Sequence, residues 1–370
     1  MYKAKADEAG FRTIPRWRRG MIGMRRMFGF VALVMAIAVA LVGCGTKDVE
    51  SIVGDLEKKV GDLESYQGVG VMTLHTGQLP QEYQVEVWYK NPHFYRIALT
   101  NTKKDITQIV LRNDEGVYVL TPHLNKSFRF QSDWPNNQGQ VYLYQSLVQS
   151  VVLDKERQFT NEENSYVFDV TANYQNPSLA RQKVWFDAKT LQPLHVEVSD
   201  ENSNKMVTVD FTHFEFGKQF ENDSFDMSRN MTAAQLQSTP VMAEADQGVD
   251  AEPTAGEPQT PVYVEPEYLP DGVVQTGISE VQLGEGKGLL QRYSGTYNYT
   301  ILQSKPVDQA ASVQSGKLID LGYTWGTLIG EDKKTFTWIN DNVEFRLSSG
   351  DLPESEIIQI ALSVQGQSGK

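Results

Sequence analysis

Residues 81–90 read QEYQVEVWYK, a run in which apolar and polar side chains alternate. One parity carries the apolar side chains of Tyr83, Val85, Val87 and Tyr89. The other parity is polar apart from Trp88. Because successive side chains of a β-strand point to opposite faces, this period of two predicts a strand with one face in an apolar core. The turn sequence Lys90-Asn91-Pro92 ends the run.

Similar strand-like runs follow one another along the chain up to Phe216. They occupy residues 69–76, 93–100, 106–113, 117–121, 127–131, 165–174, 181–187, 195–199 and 206–216. Short turn sequences such as Asn113-Asp114-Glu115-Gly116 separate them, so neighbouring strands are predicted to pair antiparallel as a meander. In the last run the apolar parity switches after Phe211, which predicts a β-bulge near Thr212 and His213.

Two stretches have helical periodicity instead. In residues 48–65 and 139–154 apolar side chains recur every three or four positions, and Tyr144 and Leu147 belong to the second stretch. About ten strands and two amphipathic helices predict one strongly curved antiparallel half-barrel whose concave side is covered by the helices. The fold class is therefore mainly β with α.

The composition changes between residues 231 and 261, where Ala, Gln, Thr, Pro and Glu dominate and Lys and Arg do not occur. This bias predicts an acidic, flexible linker. It separates a domain over residues 44–230 from a smaller α+β domain over residues 262–370, and both lengths suit single domains. The second domain has strand-like runs and a closing helix, at residues 288–303, 318–329, 335–339, 342–348 and 353–364.

An export signal precedes the first domain. Arg25 and Arg26 are followed by an apolar stretch, residues 27–42, and then by Gly43 and Cys44, the only cysteine in the sequence. A cationic start, a short apolar core and small residues before the cleavage site are typical of a signal peptide, and ending on cysteine is typical of bacterial lipoproteins. We therefore predict a signal peptide over residues 1–43, with Met24 as an alternative translation start, and a lipid-modified Cys44.

The alternative to a lipoprotein is a single-pass helix, but residues 27–42 fall short of the roughly 20 apolar residues that cross a bilayer. Lipidation would tether the mature chain to the cell membrane, outside the cytoplasm. With no second cysteine, the exported fold must rest on its apolar core. Removal of residues 1–43 takes away eight basic and two acidic residues, so the formal net charge moves from -13 to about -19. This charge disfavours nucleic acid as a partner.

Several short motifs resemble the lipoprotein-carrier (LolA-like) superfamily. They are residues 90–96 (KNPHFYR), residues 113–122 (NDEGVYVLTP), Trp134-Pro135 and residues 142–147 (YLYQSL). Their order is most similar to that of lipid-anchored members from spore-forming bacteria, some of which act in sporulation or germination. The resemblance covers most of residues 49–225.

This resemblance implies a half-open barrel that encloses an apolar cavity suited to acyl chains, with the helices as a lid. A sheet of this size leaves a wide apolar face that side chains alone need not fill. The candidate cavity or lid residues are Tyr83, Val85, Val87, Tyr89, Arg96, Tyr144 and Leu147. The resemblance gives Arg96 the role of holding the lid; alternatively, Arg96 pairs with a neighbouring carboxylate on the outer face. A tether at Cys44 argues against shuttling between membranes.

Motifs in the second domain resemble a small domain of envelope lipoproteins and anti-sigma-type regulators. They are residues 266–272 (PEYLPDG), Trp338, residues 342–347 and residues 357–364. The two-domain layout is similar to that of periplasmic sensors that control sigma factors. This second resemblance implies a protein partner in the envelope.

The sequence carries no pattern of catalytic or metal-binding residues. The five histidines are widely separated and none stands at the i, i+4 spacing of a helical metal site. Residues 284–288 (GEGKG) lack the spacing and the Ser or Thr of a phosphate loop. A Gly-x-Ser-x-Gly motif does not occur, and Cys44 is assigned to lipidation. We therefore expect no metal, no cofactor and no enzymatic activity.

Two functions remain open. The first is a lipid-anchored envelope protein that binds an acyl chain or the lipid moiety of another lipoprotein, in sporulation or germination. The second is a membrane-tethered protein-interaction module that regulates an envelope enzyme or an anti-sigma-type partner.

Overall fold

The structure is a computed structural model that covers most of the chain after Lys47. It describes residues 48–75, 79–130, 134–135, 139–174, 176, 178–238, 263–284, 286–306, 312–314 and 316–364. The predicted signal peptide, Met24 and Cys44 lie outside these residues. The chain divides into two compact units, Met1–Ile52 and Val53–Lys370, and both sheets described below belong to the second unit.

A large curved antiparallel sheet is built from the first eleven strands, which confirms the predicted fold class. These strands are β1 Ser65–Leu74, β2 Gln81–Lys90, β3 Phe94–Asn101, β4 Ile106–Asn113, β5 Gly116–Thr121, β6 Lys126–Phe130, β7 Gln158–Asn161, β8 Ser165–Thr171, β9 Arg181–Asp187, β10 Pro193–Ser199 and β11 Lys205–Phe216. From one edge to the other, their order is β6-β5-β4-β3-β2-β1-β11-β10-β9-β8-β7. Most strands pair with their neighbours in sequence, as expected of a meander, and the pairing of β1 with β11 joins the two halves.

The predicted bulge is present in the pairing of β1 with β11. Val69 pairs with His213 and the next residue, Gly70, pairs with Phe211, so Thr212 is the extra residue on β11. The bulge explains why Phe211 and Phe214 can lie on the same side of the sheet although their sequence parity differs.

Four α-helices and one short 3-10 helix accompany the strands in the described residues. They are α1 Val49–Gly61, the 3-10 helix Pro122–Leu124, α2 Tyr144–Leu153, α3 Met227–Ser238 and α4 Glu354–Ser363. The first predicted helix was too long, because Ser65 already begins β1. None of the described helices is long and apolar enough to span a membrane.

The predicted linker was wrong over residues 231–238, which continue α3. Met231 and Ala234 of this helix pack on an apolar cluster of the large sheet. They are three positions apart, so they share one helical face, and the Ala and Gln residues around them are good helix formers. Composition alone did not show this contact. The rest of the predicted linker, residues 239–261, lies outside the described residues.

A second, smaller sheet follows and has seven strands in the order β12-β13-β14-β19-β18-β17-β16. The strands after β11 are β12 Val274–Leu283, β13 Gly286–Ser294, β14 Tyr299–Ser304, β15 Ser312–Gln314, β16 Lys317–Asp320, β17 Trp325–Ile329, β18 Lys334–Asn340 and β19 Val343–Ser349. Two predicted runs proved to be hairpins, β13 with β14 and β16 with β17, and β12 was not predicted. The remaining strand, β15, pairs in parallel with β6 and so extends the large sheet to twelve strands.

The core of the smaller sheet is aromatic. The rings of Phe336, Trp338 and Phe345 stack in a row with centroid distances of 5.2 and 5.1 Å. On the next two strands the rings of Tyr293 and Tyr299 stack at 4.6 Å. α4 is the closing helix that the sequence predicted, and it buries Ile357, Ile358, Ile360 and Ala361.

Candidate functional site

The predicted cavity residues of β2 share one face of the large sheet. Tyr83, Val85, Val87 and Tyr89 are all buried. In the register with β3, Val87 lies opposite Ile97 and Tyr89 lies opposite Tyr95, which are also buried. We call the side of the large sheet that carries these residues the inner face, and the other side the outer face. The strand parity that the sequence indicated is therefore confirmed.

Helix α2 covers part of the inner face with the two lid residues predicted on it. Leu147 and Tyr144 are fully buried. The Tyr144 ring is 5.1 Å from the Phe216 ring, 5.8 Å from Phe214 and 6.2 Å from Phe186, measured between centroids. The structure thus brings α2, β9 and β11 together around one tyrosine.

Hydrogen bonds tie the start of α2 to the tyrosines of β1 and β3. The Tyr66 hydroxyl donates to Gln145 Oε1 at 3.0 Å and accepts from the Tyr144 backbone N–H at 3.4 Å. Gln145 Nε2 donates to the Tyr95 hydroxyl at 3.4 Å. Burial raises the pKa of Tyr66, Tyr95 and Tyr144 well above the usual value for tyrosine, so all three hydroxyls are neutral.

These contacts bear on the predicted lipid cavity. Around Tyr144 the inner face is occupied by the protein's own aromatic rings, and each ring pair adds roughly 0.5–1.5 kcal/mol beyond its buried area. An acyl chain entering here would have to displace these contacts. An open apolar cavity of the size that an acyl chain needs stays a prediction.

Arg96 lies on the outer face, opposite the face that α2 covers, so the prediction that it holds α2 as a lid was wrong. Its Nη1 forms a 2.6 Å ion pair with Glu86 Oε2, as the alternative interpretation stated. Its Nε donates to Asn230 Oδ1 of α3 at 2.6 Å, and its guanidinium lies 4.3 Å from the centre of the Trp88 ring. Arg96 therefore fixes α3 to the outer face. Strand parity alone predicts this, since Arg96 is of the opposite parity to Tyr95 and Ile97.

The outer face carries an apolar cluster that the sequence analysis missed. Its buried members are Ala98, Ile109, Leu111, Tyr118, Leu120, Phe225 and Ala234. Trp88 packs against it, together with Met227 and Met231 of α3. The available signal was Trp88, the one apolar residue on the polar side of β2. Both faces of the large sheet are thus covered by helices here.

Polar contacts of the large sheet with the β16–β19 region form a junction that was also missed. The side chains of Lys126 and Glu344 form an ion pair and are only 5% and 11% exposed. Gln108 Oε1 accepts from Thr324 Oγ1 at 2.8 Å and from the Trp325 N–H at 3.0 Å. These partners are about 217 residues apart in sequence, and local patterns carry no information on such pairs.

The junction also contains a perturbed carboxyl group. The Tyr142 hydroxyl and Asp320 Oδ2 are 2.6 Å apart, and the Gly322 N–H donates to Asp320 Oδ1 at 2.6 Å. Burial raises the pKa of Asp320 to about 6. A shift of this kind alone does not indicate catalysis, and among the described residues no cluster of His, Cys, Asp and Glu could hold a metal ion.

A cavity of about 50 Å³ lies in the same junction. Its wall includes Tyr83 of β2, Thr121 and His123. Thr121 is the last residue of β5, and His123 lies in the 3-10 helix that follows. The wall also includes Asp341 and Asn342, the two central residues of the β18–β19 turn. Both have positive φ, 51° and 59°, and Asp and Asn tolerate this conformation well.

Strand β12 is the terminal strand of the smaller sheet and is exposed along its whole length. Exposed and half-exposed residues alternate, and none of its ten residues is buried. Val274 and Ile278 are 61% and 48% exposed. The sequence pattern did not predict this strand, because the alternation of apolar and polar residues weakens when neither face of a strand is buried.

Comparison with known proteins identifies relatives for both parts of the chain. Residues 24–225 match the family model described as sporulation protein YdcC-like, and residues 263–364 match a domain of unknown function, DUF4367. The sequence is 41% identical over 347 residues to sporulation protein YdcC of Bacillus subtilis (strain 168), covering 92% of this chain and 98% of that protein.

Solved structures with distant likeness were also found. The MucA/MucB complex structure of Pseudomonas aeruginosa matches with 14% identity and a TM-score of 0.30, over 84% of this chain and 97% of that one. The LolA superfamily protein NE2245 of Nitrosomonas europaea matches with 9% identity and a TM-score of 0.29, over 50% of this chain and 100% of that one. Scores of this size carry no functional argument.

Proposed function

The chain belongs to the YdcC-like sporulation protein family, and from that membership we propose that it acts in sporulation as a lipid-anchored envelope protein that binds a protein partner. The partner would add an extended strand to β12. The anchor would be a lipid on Cys44. The curated relative is itself described as a sporulation protein, which supports the developmental setting.

The observation that carries this proposal is the open edge of β12. The other terminal strands in the described sheets are short: β7 has four residues, β15 three and β16 four. β12 has ten, with Val274 and Ile278 exposed. Natural proteins usually protect a long apolar edge, because its free N–H and C=O groups pair readily with another strand. Strand addition to such an edge is a recurring mode of peptide recognition.

Charge indicates the kind of strand that would pair there. Glu280 lies on β12, exposed, and its contact with Lys287 is long, at 3.7 Å. The whole chain has a formal net charge of -13. A partner strand with apolar residues facing Val274 and Ile278 and a Lys or Arg facing Glu280 would complement the edge. A second copy of this chain is disfavoured, because two such copies repel each other.

A crosslinking experiment in sporulating cells tests the proposal. A photo-reactive residue at position 274 should give one discrete protein adduct, and the second substitution Ile278→Lys should abolish it, since an edge lysine blocks strand addition. The matched control is a photo-reactive residue at position 194, where Leu194 is also exposed on a strand. The same adduct at position 194, or an adduct that survives Ile278→Lys, would contradict the proposal.

Attachment through Cys44 is tested separately. Cys44→Ser should abolish labelling by a radioactive fatty acid and release the protein from the membrane fraction, because two acyl chains give lasting attachment. Membrane association that persists in the Cys44→Ser variant would refute lipid anchoring and leave the β12 proposal standing.

A fatty-acid uptake assay on the mature chain distinguishes the acyl-chain hypothesis from protein binding. A fluorescent fatty acid should bind saturably if the inner face opens, and Leu147→Trp should reduce the uptake by filling space under α2. The aromatic contacts of Tyr144 argue for no uptake. Saturable uptake that Leu147→Trp blocks would make lipid binding the better proposal.

A further inference from the structure

The smaller sheet has one buried face and one open face. On β13 and β14 the buried face carries Tyr293, Tyr299 and Ile301, which are at most 3% exposed. The residues that alternate with them, such as Leu290 and Leu302, are half-exposed. Because successive strand residues point to opposite faces, these belong to the other side of the sheet, which we call the open face. Along β12, β13 and β14 the open face is thus accessible to solvent in the described part of the chain.

Four aliphatic side chains lie together on the open face. We call them the aliphatic patch, and they are Val281, Leu283, Leu290 and Leu302. Leu290 lies directly opposite Leu302, and Val281 lies directly opposite Gly288. A Cβ atom on Gly288 would come within 2.7 Å of Leu283 Cδ1 and 3.2 Å of Leu302 Cδ1, so these two side chains converge over the glycine. The aliphatic patch is therefore contiguous across three strands and reaches the β12 edge.

The border of the aliphatic patch is positively charged on β13. Arg292 lies two positions after Leu290 and therefore shares its face. The Arg292 side chain is exposed, and its Nη1 donates to Ser279 Oγ at 3.0 Å. It forms no ion pair with any residue that the structure describes. The open-face positions of β12, β13 and β14 carry no Asp or Glu. The Arg292 guanidinium is therefore available to a carboxylate from outside the chain.

A second arginine borders the aliphatic patch on β19. Arg346 lies directly opposite Leu302, and its side chain is 51% exposed. Its carboxylate partner Glu344 also pairs with the buried Lys126, so two cations share one negative charge. Strand spacing and rise place the Cα atoms of Arg292 and Arg346 roughly 12 Å apart, two strands and one residue pair from each other. The aliphatic patch thus has positive charge on two sides, although the whole chain has a formal net charge of -13.

These features favour one class of occupant over the others. A lipid bilayer would bury the open-face hydroxyls of Ser279, Thr300 and Ser304 without new hydrogen-bond partners. An anionic bilayer would also repel the acidic chain as a whole. A second copy of the same face would bring like-charged arginines together. A helix is the element that usually covers the apolar face of a sheet, and its polar side chains can pair with hydroxyl and guanidinium groups.

We propose that the open face binds an amphipathic helix of a protein partner, with acidic residues on the border of its apolar stripe. Apolar side chains at positions i, i+3, i+4 and i+7 would pack on Leu283, Leu290 and Leu302. Two acidic residues seven positions apart, about 10.5 Å along the helix axis, would reach Arg292 and Arg346. The open face is distinct from the backbone edge of β12, and the inference does not rest on strand addition.

A peptide titration with the full mature chain tests this inference. The probe is a synthetic helical peptide with leucines at this spacing and two glutamates seven positions apart; the comparison peptide has lysines in place of the glutamates. Calorimetry should show saturable binding of the glutamate peptide and at least tenfold weaker binding of the lysine peptide. Leu302→Gln should weaken binding of the glutamate peptide about tenfold through lost apolar contact. Arg292→Glu should weaken it about fivefold.

Further variants separate binding from folding. Gly277→Glu places a carboxylate directly across from Arg292, at a position where a Cβ atom would meet no atom within 4 Å. This variant should therefore fold like the wild type, because the new carboxylate can pair with Arg292, and for the same reason it should bind the glutamate peptide less tightly. The matched controls Leu153→Gln and Lys155→Glu change exposed residues at and after the end of α2 and should bind like the wild type.

The inference would be overturned by equal binding of the two peptides, or by no saturable binding of either. Binding that Leu302→Gln and Gly277→Glu leave unchanged would have the same meaning. Phosphatidylglycerol vesicles and analytical ultracentrifugation test the other occupants: vesicle binding or self-association that Leu302→Gln abolishes would assign the aliphatic patch to a membrane or to a second copy instead. Specific binding of the glutamate peptide together with a failed crosslink at position 274 would support this inference and refute strand addition alone.

Discussion

Removing the carboxylate of Glu344 should destabilise the junction more than removing its partner Lys126. The two side chains are 11% and 5% exposed and form an ion pair. Breaking a buried pair by deleting one member typically costs about 3–5 kcal/mol, because the remaining charge stays buried. In Glu344→Ala, Lys126 would retain, among the described residues, its cation–π contact with Phe128, at 5.0 Å. That contact offsets about 1–2 kcal/mol, which leaves a net loss of roughly 1–4 kcal/mol.

Removing Lys126 instead leaves the Glu344 carboxylate, which keeps another charged partner. In Lys126→Met, Glu344 retains Arg346, whose Nη2 lies 3.1 Å from Glu344 Oε1 and whose side chain is half-exposed. We therefore expect Lys126→Met to lower the free energy of unfolding by about 1–2 kcal/mol, clearly less than Glu344→Ala. The double variant Lys126→Met, Glu344→Leu should recover most of the wild-type stability, since no buried charge remains.

Urea unfolding of the mature chain, followed by tryptophan fluorescence, measures these differences. The matched control is Glu354→Ala, which breaks the exposed pair with Lys317 and should change the free energy of unfolding by less than about 1 kcal/mol. The reasoning is refuted if Glu344→Ala costs no more than this control, or if Lys126→Met proves the more damaging of the two single variants.

Three further predictions concern the same fold. Burial raises the pKa of Asp320 from 3.8 to about 6, so its contribution to stability is complete below about pH 4 and is lost as the pH rises through about 6. Asp320→Asn should therefore flatten the fall in melting temperature over this range, and an unchanged slope would disprove the assignment. Arg96→Ala removes the contacts with Glu86, Asn230 and Trp88 and should lower the free energy of unfolding by about 2–3 kcal/mol. Hydrogen exchange of the backbone amides should accelerate in α3. In the control Lys183→Ala, hydrogen exchange in α3 should not change. Tyr144→Ala should cost about 3–5 kcal/mol, as for other large buried aromatics; a loss below about 1 kcal/mol in urea unfolding would show that the contacts of this ring are dispensable.

The local patterns of the sequence were sufficient for much of the large sheet. The alternation in Gln81–Lys90 predicted the buried parity of β2, and the parity switch after Phe211 predicted the bulge at Thr212. Both succeed because side-chain direction in a strand depends only on position along that strand. The apolar spacing around Tyr144 and Leu147 predicted α2 for the same reason, with the helical period.

Residues that act across long sequence separations were misjudged or missed. For Arg96 two roles were left open, holding the lid or pairing with a carboxylate on the outer face, and the pair with Glu86 and the contact with α3 correspond to the second. Residues 231–238 were interpreted as linker, because composition does not show that Met231 and Ala234 find an apolar cluster to pack on. The sequence did not predict β12, because neither of its faces is buried and its residues therefore need no apolar parity.

By itself the sequence determined the antiparallel strands, the faces of β2, helix α2 and the family, since each depends on a repeat or motif within a few residues. Tertiary structure alone decided the polar junction of Lys126 with Glu344, the packing of α3 on the outer face and the open edge of β12. The physical reason is that hydrogen bonds, ion pairs and free edges belong to pairs of segments. Lys126 and Glu344, for example, lie 218 residues apart in sequence and come together only when the sheets form.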